Sequence, residues 1–415
     1  MEYFNQVTSE YKRTIESGNC FYKIRLELLT YYESTIGEIT KDVSVENTGQ
    51  ININYNQLTR RSCNLTLANI DPKYNPASDN EFWQNRKFKL WIGVVSSNGN
   101  VYWWSQGIFI AKDVSGNFAT VQINAVDKGG LLDGTLKTNV TESQYVIQSH
   151  SNVLQIIRDT LSINPNETSE LSVYQGGWTN YLVDPIPPLV DVSFRDTWTE
   201  SEISIDSGVP LGNLFTLLAE NYEADVYYNQ NGNLRFEPLI AGNRIGGYMY
   251  LGSLWDFSTD KPIYSDSELT CNFDGENTVT VYTNASNLEN VSYTAYNNNP
   301  MSPLRTAVAG IRRMASQEIT YVDTTKEDML VRCKQYADYL LIKNSMQGMT
   351  VNFNSPIIPH LDVNKTITIT DEFYKFNRDK FVIQSLSIPL SANTMKITAT
   401  NVSWLPNTIN IEGRR

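Results

Sequence analysis

Phe88-Lys89-Leu90-Trp91-Ile92-Gly93-Val94-Val95, then Ser97-Asn98-Gly99-Asn100, then Val101-Tyr102-Trp103-Trp104-Ser105-Gln106-Gly107-Ile108-Phe109-Ile110-Ala111 is the stretch whose reading decides the fold. Two runs rich in aromatic and β-branched residues flank an Asn-Gly turn. Asn and Gly tolerate the positive φ that a tight hairpin demands. Ser115-Gly116-Asn117 repeats the punctuation and leads into a third run, Phe118 to Val126. Upstream, Phe21 to Tyr32, Gln50 to Tyr55 and Ser62 to Asn69 have strand composition, and Asn64-Leu65-Thr66-Leu67-Ala68 alternates cleanly. A period of two buries one face and leaves the other for solvent or a partner. Residues 1–135 therefore read as strands almost throughout, in an antiparallel barrel or sandwich.

The pattern changes further along. Ser149 or Ser151 can cap a helix carrying Val153, Leu154, Ile157 and Leu161 on one stripe. A connection containing Pro185, Pro187 and Pro188 follows, then a helix from Pro210 with Leu211, Leu214, Phe215, Leu218 and Tyr222 at helical spacing. Ala224 to Asn229 and Leu234 to Glu237 flank Gln230-Asn231-Gly232-Asn233, a hairpin signal. Strand patterns return at Glu268 to Tyr282, Gly348 to Phe353, Thr366 to Thr370, Lys380 to Pro389 and Thr394 to Ser403. Among them lies a helix over 325–344, with Thr324 and Glu327 as a capping box and Met329, Cys333, Tyr336, Ala337, Leu340 and Leu341 as its apolar stripe. Ser387 to Asn401 echoes Tyr55 to Asn69, a polar turn running into an alternating strand that ends in Asn. The expected class is mainly β with α+β modules: a first β-barrel over 1–135, an α+β connecting module over 136–240, a second β-barrel over 241–405 and a polar tail over 406–415.

Composition fits that class. Hydrophobic residues are 41 % of the 415 and charged residues 19 %, enough apolar content for real cores. With 33 Lys and Arg against 45 Asp and Glu, the formal charge is −12, unsuited to general nucleic-acid binding, where each phosphate contact needs a cation. Cys20, Cys63, Cys271 and Cys333 show no CxxC or other short spacing, so neither a zinc ribbon nor a disulfide framework is expected. No secretory leader or membrane anchor is expected either, since the longest apolar runs fall far short of the roughly 20 residues that cross a bilayer.

The search for catalytic chemistry returns no motif. His150 and His360 are the two histidines, one before a helix and one in the Pro-bounded turn Pro356-Ile357-Ile358-Pro359-His360. Neither accompanies a nucleophile motif. Gly129-Gly130, Gly176-Gly177 and Gly246-Gly247 lack the strand-to-helix context of a phosphate cradle and read as turns. The eight tryptophans, Trp83, Trp91, Trp103, Trp104, Trp178, Trp198, Trp255 and Trp404, read as core or subunit contacts, with a sugar groove as the other option. Within one strand Trp103 and Trp104 point to opposite faces, so one is expected in the core and the other exposed or at an interface. Arg60-Arg61, Arg86-Lys87 and Arg312-Arg313 read as solvated element edges, or as docking points for an acidic neighbour. No catalytic, cofactor-binding or metal-binding residue and no cofactor is assigned, and the expectation is a protein that is not an enzyme and works through its contacts.

In order of features the chain resembles the tail hub, or baseplate hub, proteins of tailed bacteriophages. The resemblance rests on Leu58-Thr59-Arg60-Arg61-Ser62-Cys63-Asn64-Leu65-Thr66-Leu67-Ala68-Asn69-Ile70-Asp71, on Phe82-Trp83 and Lys89 to Val94, on Trp103 to Phe109, and on Val121 to Lys128 with its closing Asp127. It continues in the helix and hairpin of Ser207 to Pro238, then in Pro359 to Ile369 and Lys380 to Leu390, where Asn364 stands at a position the family often gives to Gly. Residues 164–206 and 284–310 match nothing in the family pattern.

The resemblance implies two tail-tube-like β-barrels per chain and a homotrimer whose six barrels form a ring. It implies a hexameric tail tube or distal tail protein on one side, a trimeric spike or tail-tip protein on the other, and the tape measure protein as a further neighbour. Genome DNA would contact the ring only in transit, and the location implied is the virion, in its tail baseplate or tail tip. Acidic residues facing such a channel would repel the DNA backbone. The alternative expectation is a phage or surface glycan- or receptor-binding β-protein, with a cell-wall hydrolase a more distant one.

Overall fold

Alternation in the sequence becomes pairing in the structure, a computed structural model that describes residues 1–4, 6–30, 33–43, 49–69, 74, 86–136, 144–149, 151, 202–210, 212–221, 224–232, 234–238, 244–245, 248–249, 255–283, 291–319, 325–346 and 348–406. The first part contains β1 (Glu2–Phe4), α1 (Ser9–Glu16), β2 (Phe21–Leu29), β3 (Thr35–Glu38), β4 (Gln50–Asn54), β5 (Arg61–Ala68), β6 (Lys87–Val95), β7 (Val101–Gly116) and β8 (Thr120–Asp127). The middle contains β9 (Tyr145–Ile147), β10 (Ile203–Ile205), α2 (Gly212–Asn221), β11 (Ala224–Tyr228), β12 (Leu234–Pro238), β13 (Arg244–Ile245) and β14 (Tyr248–Met249). The last part contains β15 (Asp256–Ser258), β16 (Ser265–Cys271), β17 (Thr278–Thr283), β18 (Val291–Tyr296), α3 (Thr306–Ala309), β19 (Met314–Glu318), α4 (Lys326–Ser345), β20 (Met349–Pro356), β21 (Thr366–Asp371), β22 (Phe376–Pro389) and β23 (Thr394–Asn401).

Fourteen strands form one mostly antiparallel sheet in the order β16-β20-β23-β22-β4-β5-β8-β7-β6-β2-β3, with β1 beside β7, β21 beside β22 and β15 beside β21. The seam between its halves is the β4–β22 ladder, from Ser385 opposite Asn54 to Pro389 opposite Gln50. The β4–β5 and β22–β23 hairpins, whose sequences echo one another, flank that seam. Among the described residues the sheet is open and continuous, and no closed barrel forms. One hydrophobic core serves both halves, with Leu26, Leu65 and Phe109 packed in the same cluster as Phe257, Phe353 and Ile397.

Two long strands curl the sheet around that core. β7 pairs with β6 from Val101 to Ile110, with a register shift beside Gly107, whose φ is +152°, and with β8 from Phe109 to Gly116. β22 passes from β21 to β23 and then to β4, with a register shift between Ile383 and Ser385. Such bulges bend a strand and increase its twist.

Several expectations need correction. The strand-only reading of residues 1–135 misses α1, where Thr8 accepts a hydrogen bond from the Tyr11 N–H at 3.1 Å, and Tyr11 and Ile15 bury one turn apart. The cap of α4 is Thr325, accepting from the Asp328 N–H at 3.2 Å, one position later than the pair Thr324 and Glu327. Its stripe is as expected at Met329, Cys333, Ala337 and Leu341, which pack on β17 and β18, while Tyr336 and Leu340 lie half-buried at the edge. Glu268 to Tyr282 divides between β16 in the large sheet and β17 in the three-stranded sheet β18-β17-β19. Trp104 and Trp103 do face opposite ways, but both are buried: Trp104 lies in the main core, and Trp103 lies with Trp91 beneath the Arg25 guanidinium, 4.3 Å from its ring.

The expected α2 and the β11–β12 hairpin are present, and Leu214, Phe215 and Leu218 form a second core with Ile110, Val126, Val226 and Tyr228. The helix expected after Ser149 or Ser151, the Pro185 to Pro188 connection, His150, Trp83, Trp178 and Trp198 lie outside the described residues. No helix among the described residues is long and apolar enough to cross a membrane.

Candidate functional site

The place where charge concentrates is the junction of the large sheet, the β11–β12 hairpin and the loop before β21. It starts at Arg60 and Arg61, which lead into β5. Against the expectation of a solvated edge, both are fully buried. Arg61 donates from Nη2 to Asp362 Oδ2 at 2.5 Å and from Nη1 to the Tyr228 carbonyl at 2.8 Å, and its main-chain N–H donates to Asp127 Oδ2 at 2.8 Å. Arg60 pairs with Asp225, and its guanidinium lies 3.3 Å from the centre of the Tyr227 ring. A planar guanidinium suits this position because it can stack and donate along several directions at once.

The second half of the junction grows from the end of β8. Asp127 caps a 3-10 turn over Lys128–Leu131, accepting from the Gly129 N–H at 2.9 Å. Gly129 is needed there because a Cβ would lie 2.1 Å from the Leu58 carbonyl oxygen. Lys128 Nζ then reaches the Gly232 carbonyl at 2.6 Å and Glu33 Oε1 at 2.6 Å, and Lys87 Nζ meets the same Glu33 oxygen at 3.1 Å. Lys87 is thus buried too, contrary to the solvated reading of Arg86-Lys87. Ser105 Oγ donates to the Gln230 carbonyl at 2.6 Å. The hairpin is therefore held through the carbonyls of residues 228, 230 and 232 by Arg61, Ser105 and Lys128, and through Asp225 by Arg60.

Four cations, Arg60, Arg61, Lys87 and Lys128, face four carboxylates, Glu33, Asp127, Asp225 and Asp362. Burial dominates the ionisation of Asp127, Lys128 and Lys87. It pushes Asp127 up to about 7 despite the opposing pull of Arg61, and it pushes Lys128 down to about 7 despite the opposing charge of Glu33. Burial also lowers Lys87, again opposed by Glu33. Asp362 is the exception: burial would raise it, but Arg61, then Arg60 and Lys365, hold it below the ordinary carboxylate range.

His360 forms a second polar knot beside this junction. Trp255 Nε1–H donates to its Nε2 at 3.0 Å, so the neutral ring carries its proton on Nδ1, 2.6 Å from the Tyr11 hydroxyl. Burial pushes its pKa down to about 3. The imidazole thus ties α1 to the second half of the chain as a satisfied, neutral core group. Among the described residues no group of three His, Cys, Asp or Glu could hold a metal ion.

This arrangement joins parts of the chain to one another. Sequence reasoning singled out Arg60, Arg61 and Asp127 within the stretches that resemble a hub. Asp225 and Asp362 lie in quoted stretches too, but no local pattern connects them to Arg60 and Arg61, and Glu33, which pairs with Lys87 and Lys128, was not singled out at all.

The same arrangement of strands occurs in solved structures. The tail protein from Neisseria meningitidis MC58 superposes with a TM-score of 0.56 over 92 % of this chain and 98 % of that one, at 9 % identity. The 43 kDa tail protein of prophage MuSo2 from Shewanella oneidensis superposes with a TM-score of 0.54 over 93 % and 100 %, at 13 % identity. This chain has the fold of phage tail proteins. The tail-protein fold also extends to a chain of the Francisella PdpA–VgrG complex, with a TM-score of 0.51, 10 % identity and coverage of 94 % of this chain and 59 % of that one. No family model matches the sequence, and no curated protein matches it.

Proposed function

We propose that the protein is a structural hub of a bacteriophage tail, in its baseplate or tail tip, and that it is not an enzyme. The observation that carries this reading is whole-length agreement: two tail proteins share the fold over nearly all of both chains. Three copies form a ring that joins a hexameric tail tube, or a distal tail protein, to a trimeric spike or tail-tip protein, and DNA passes through it at ejection. Each chain supplies two tail-tube-like units from residues 1–135 and 241–405, joined by the module over 136–240, and the β4–β22 seam holds the two units in one piece. A ring under load benefits from such a seam, since its units cannot separate without breaking a main-chain ladder. The acidic balance of the chain supports a channel that does not retain the genome.

Electron microscopy of the purified assembly tests the proposal. A threefold particle with six lobes around an open channel is the expected image. A compact particle without a channel would overturn it.

A further inference from the structure

Among the described residues, exposed apolar side chains cluster on the three-stranded sheet and the loop between β18 and β19. Val308, Ile311 and Met314 are 63 %, 56 % and 58 % exposed, and Met301 beside them is 70 % exposed. Exposed apolar side chains are ordinary when scattered, but these four fall within fourteen residues of one another on a backbone that is rigidly held. Asn277, fully buried, donates from Nδ2 to the carbonyls of Leu304 at 2.9 Å and Ile311 at 2.8 Å, and accepts at Oδ1 from the Arg313 N–H at 3.0 Å. Asn299 fixes the start of the loop by donating to the carbonyls of Ser403 and Leu405, each at 2.6 Å. Gly310, at φ +66°, closes α3 and turns the chain back toward β19. Two buried amides thus hold in place a loop that exposes Met301, Val308 and Ile311. Fixing a surface in advance removes the ordering cost of binding.

Charge completes the picture. From Val291 to Gln317 the sequence has Arg305, Arg312 and Arg313 and no Asp or Glu. The segment is +3, so the rest of the chain is −15 (−12 minus +3). Arg312 stacks over the exposed Tyr296 ring at 5.4 Å, Arg313 meets Asp274 at 3.4 Å, and neither Arg305 nor Arg312 forms an ion pair among the described residues. Its complement is abundant on every other copy of this protein.

We propose that this ridge, residues 301–314 with Tyr296, is the face by which one copy docks on the acidic surface of the next. The inference rests on the reading of the chain as a ring-forming hub and names the surface that closes the ring. A ridge with one sign of charge cannot face its own twofold image, because Arg would meet Arg. The contact is therefore between two different surfaces, the type that generates rings instead of twofold dimers. Val308, Ile311 and Met314 supply its dry centre, and the arginines its specificity and salt dependence.

Light scattering over a wide concentration range tests this with the full chain, Ile311→Asp, the double variant Arg305→Glu/Arg312→Glu, and Leu330→Asp as an exposed apolar control on α4. Both ridge variants should raise the concentration for half-assembly by at least about tenfold, with melting curves like that of the unaltered protein. The control should assemble normally, and added salt should weaken assembly of the unaltered protein. Full-size oligomers from both ridge variants at the normal concentration would overturn the ridge and leave the ring standing. A monomeric unaltered protein at every concentration would overturn the ring, and the ridge with it.

Discussion

Replacing Arg61 by Met keeps most of the volume and the apolar stem while removing the guanidinium. The change leaves the Asp362 carboxylate buried without its 2.5 Å partner and the Tyr228 carbonyl without its donor. Removing one member of a buried ion pair costs about 3–5 kcal/mol. At about 2.1 cal/mol/K of unfolding entropy per residue, a 415-residue chain melting as one unit would lose about 3–6 °C of Tm. The companion variant Asp362→Leu should be similarly damaging, but the double variant should cost far less than the two single losses combined, because it leaves no unpaired charge. A pH series sharpens the test. With Arg61 present, Asp362 sits below its ordinary pKa and stabilises the fold at neutral pH. Without Arg61, burial meets less opposition, from Arg60 and Lys365 only among the charges, and moves its pKa upward, so the loss in Arg61→Met should shrink as pH falls toward about 4. The assay is urea unfolding of the three variants across pH. Additive losses, or a single-variant loss below about 1 kcal/mol, would refute the argument that this pair fastens the junction.

The junction should also leave a mark on stability against pH. Asp127, at about 7 instead of 3.8, keeps a proton in the fold that the unfolded chain has lost, so its contribution falls as pH rises from 3.8 to 7. Lys128, at about 7 instead of 10.5, has lost a proton that the unfolded chain keeps, so its contribution rises from 7 to 10.5. Together they give a minimum near neutrality; Asp127→Asn should flatten the acid limb and Lys128→Met the alkaline limb, read from urea midpoints. On α4, Ala337→Asp places a carboxylate in the apolar contact with β17 and β18 and should cost about 3 kcal/mol or more, whereas Leu330→Asp, on the exposed face, should stay within about 0.5 kcal/mol. Equal melting of these two variants would contradict the placement of that helix.

The strands were legible because their signals are local. The Asn98-Gly99 turn sits where the β6–β7 hairpin closes, and Leu65 and Leu67 are buried as the alternation implies, although Thr66 between them is buried as well. α1 escaped because only Tyr11 and Ile15 mark its buried side, set among charged residues with one capping Thr8. The single sheet was not readable, since the β4–β22 seam joins residues more than three hundred positions apart, and nothing in either strand distinguishes that partner from a neighbour in a separate barrel. The junction fails for the same reason. Arg60 meets Asp225 across 165 positions and Arg61 meets Asp362 across 301. A pair of adjacent arginines reads as a wet edge until the fold brings the carboxylates over it.

The central claim is the ring, and the most direct measurement is the mass of the purified chain in solution by light scattering as concentration is varied. A ring of three gives a stable species of about three times the 47.1 kDa chain. A species that stays at the mass of one chain at every concentration would contradict it.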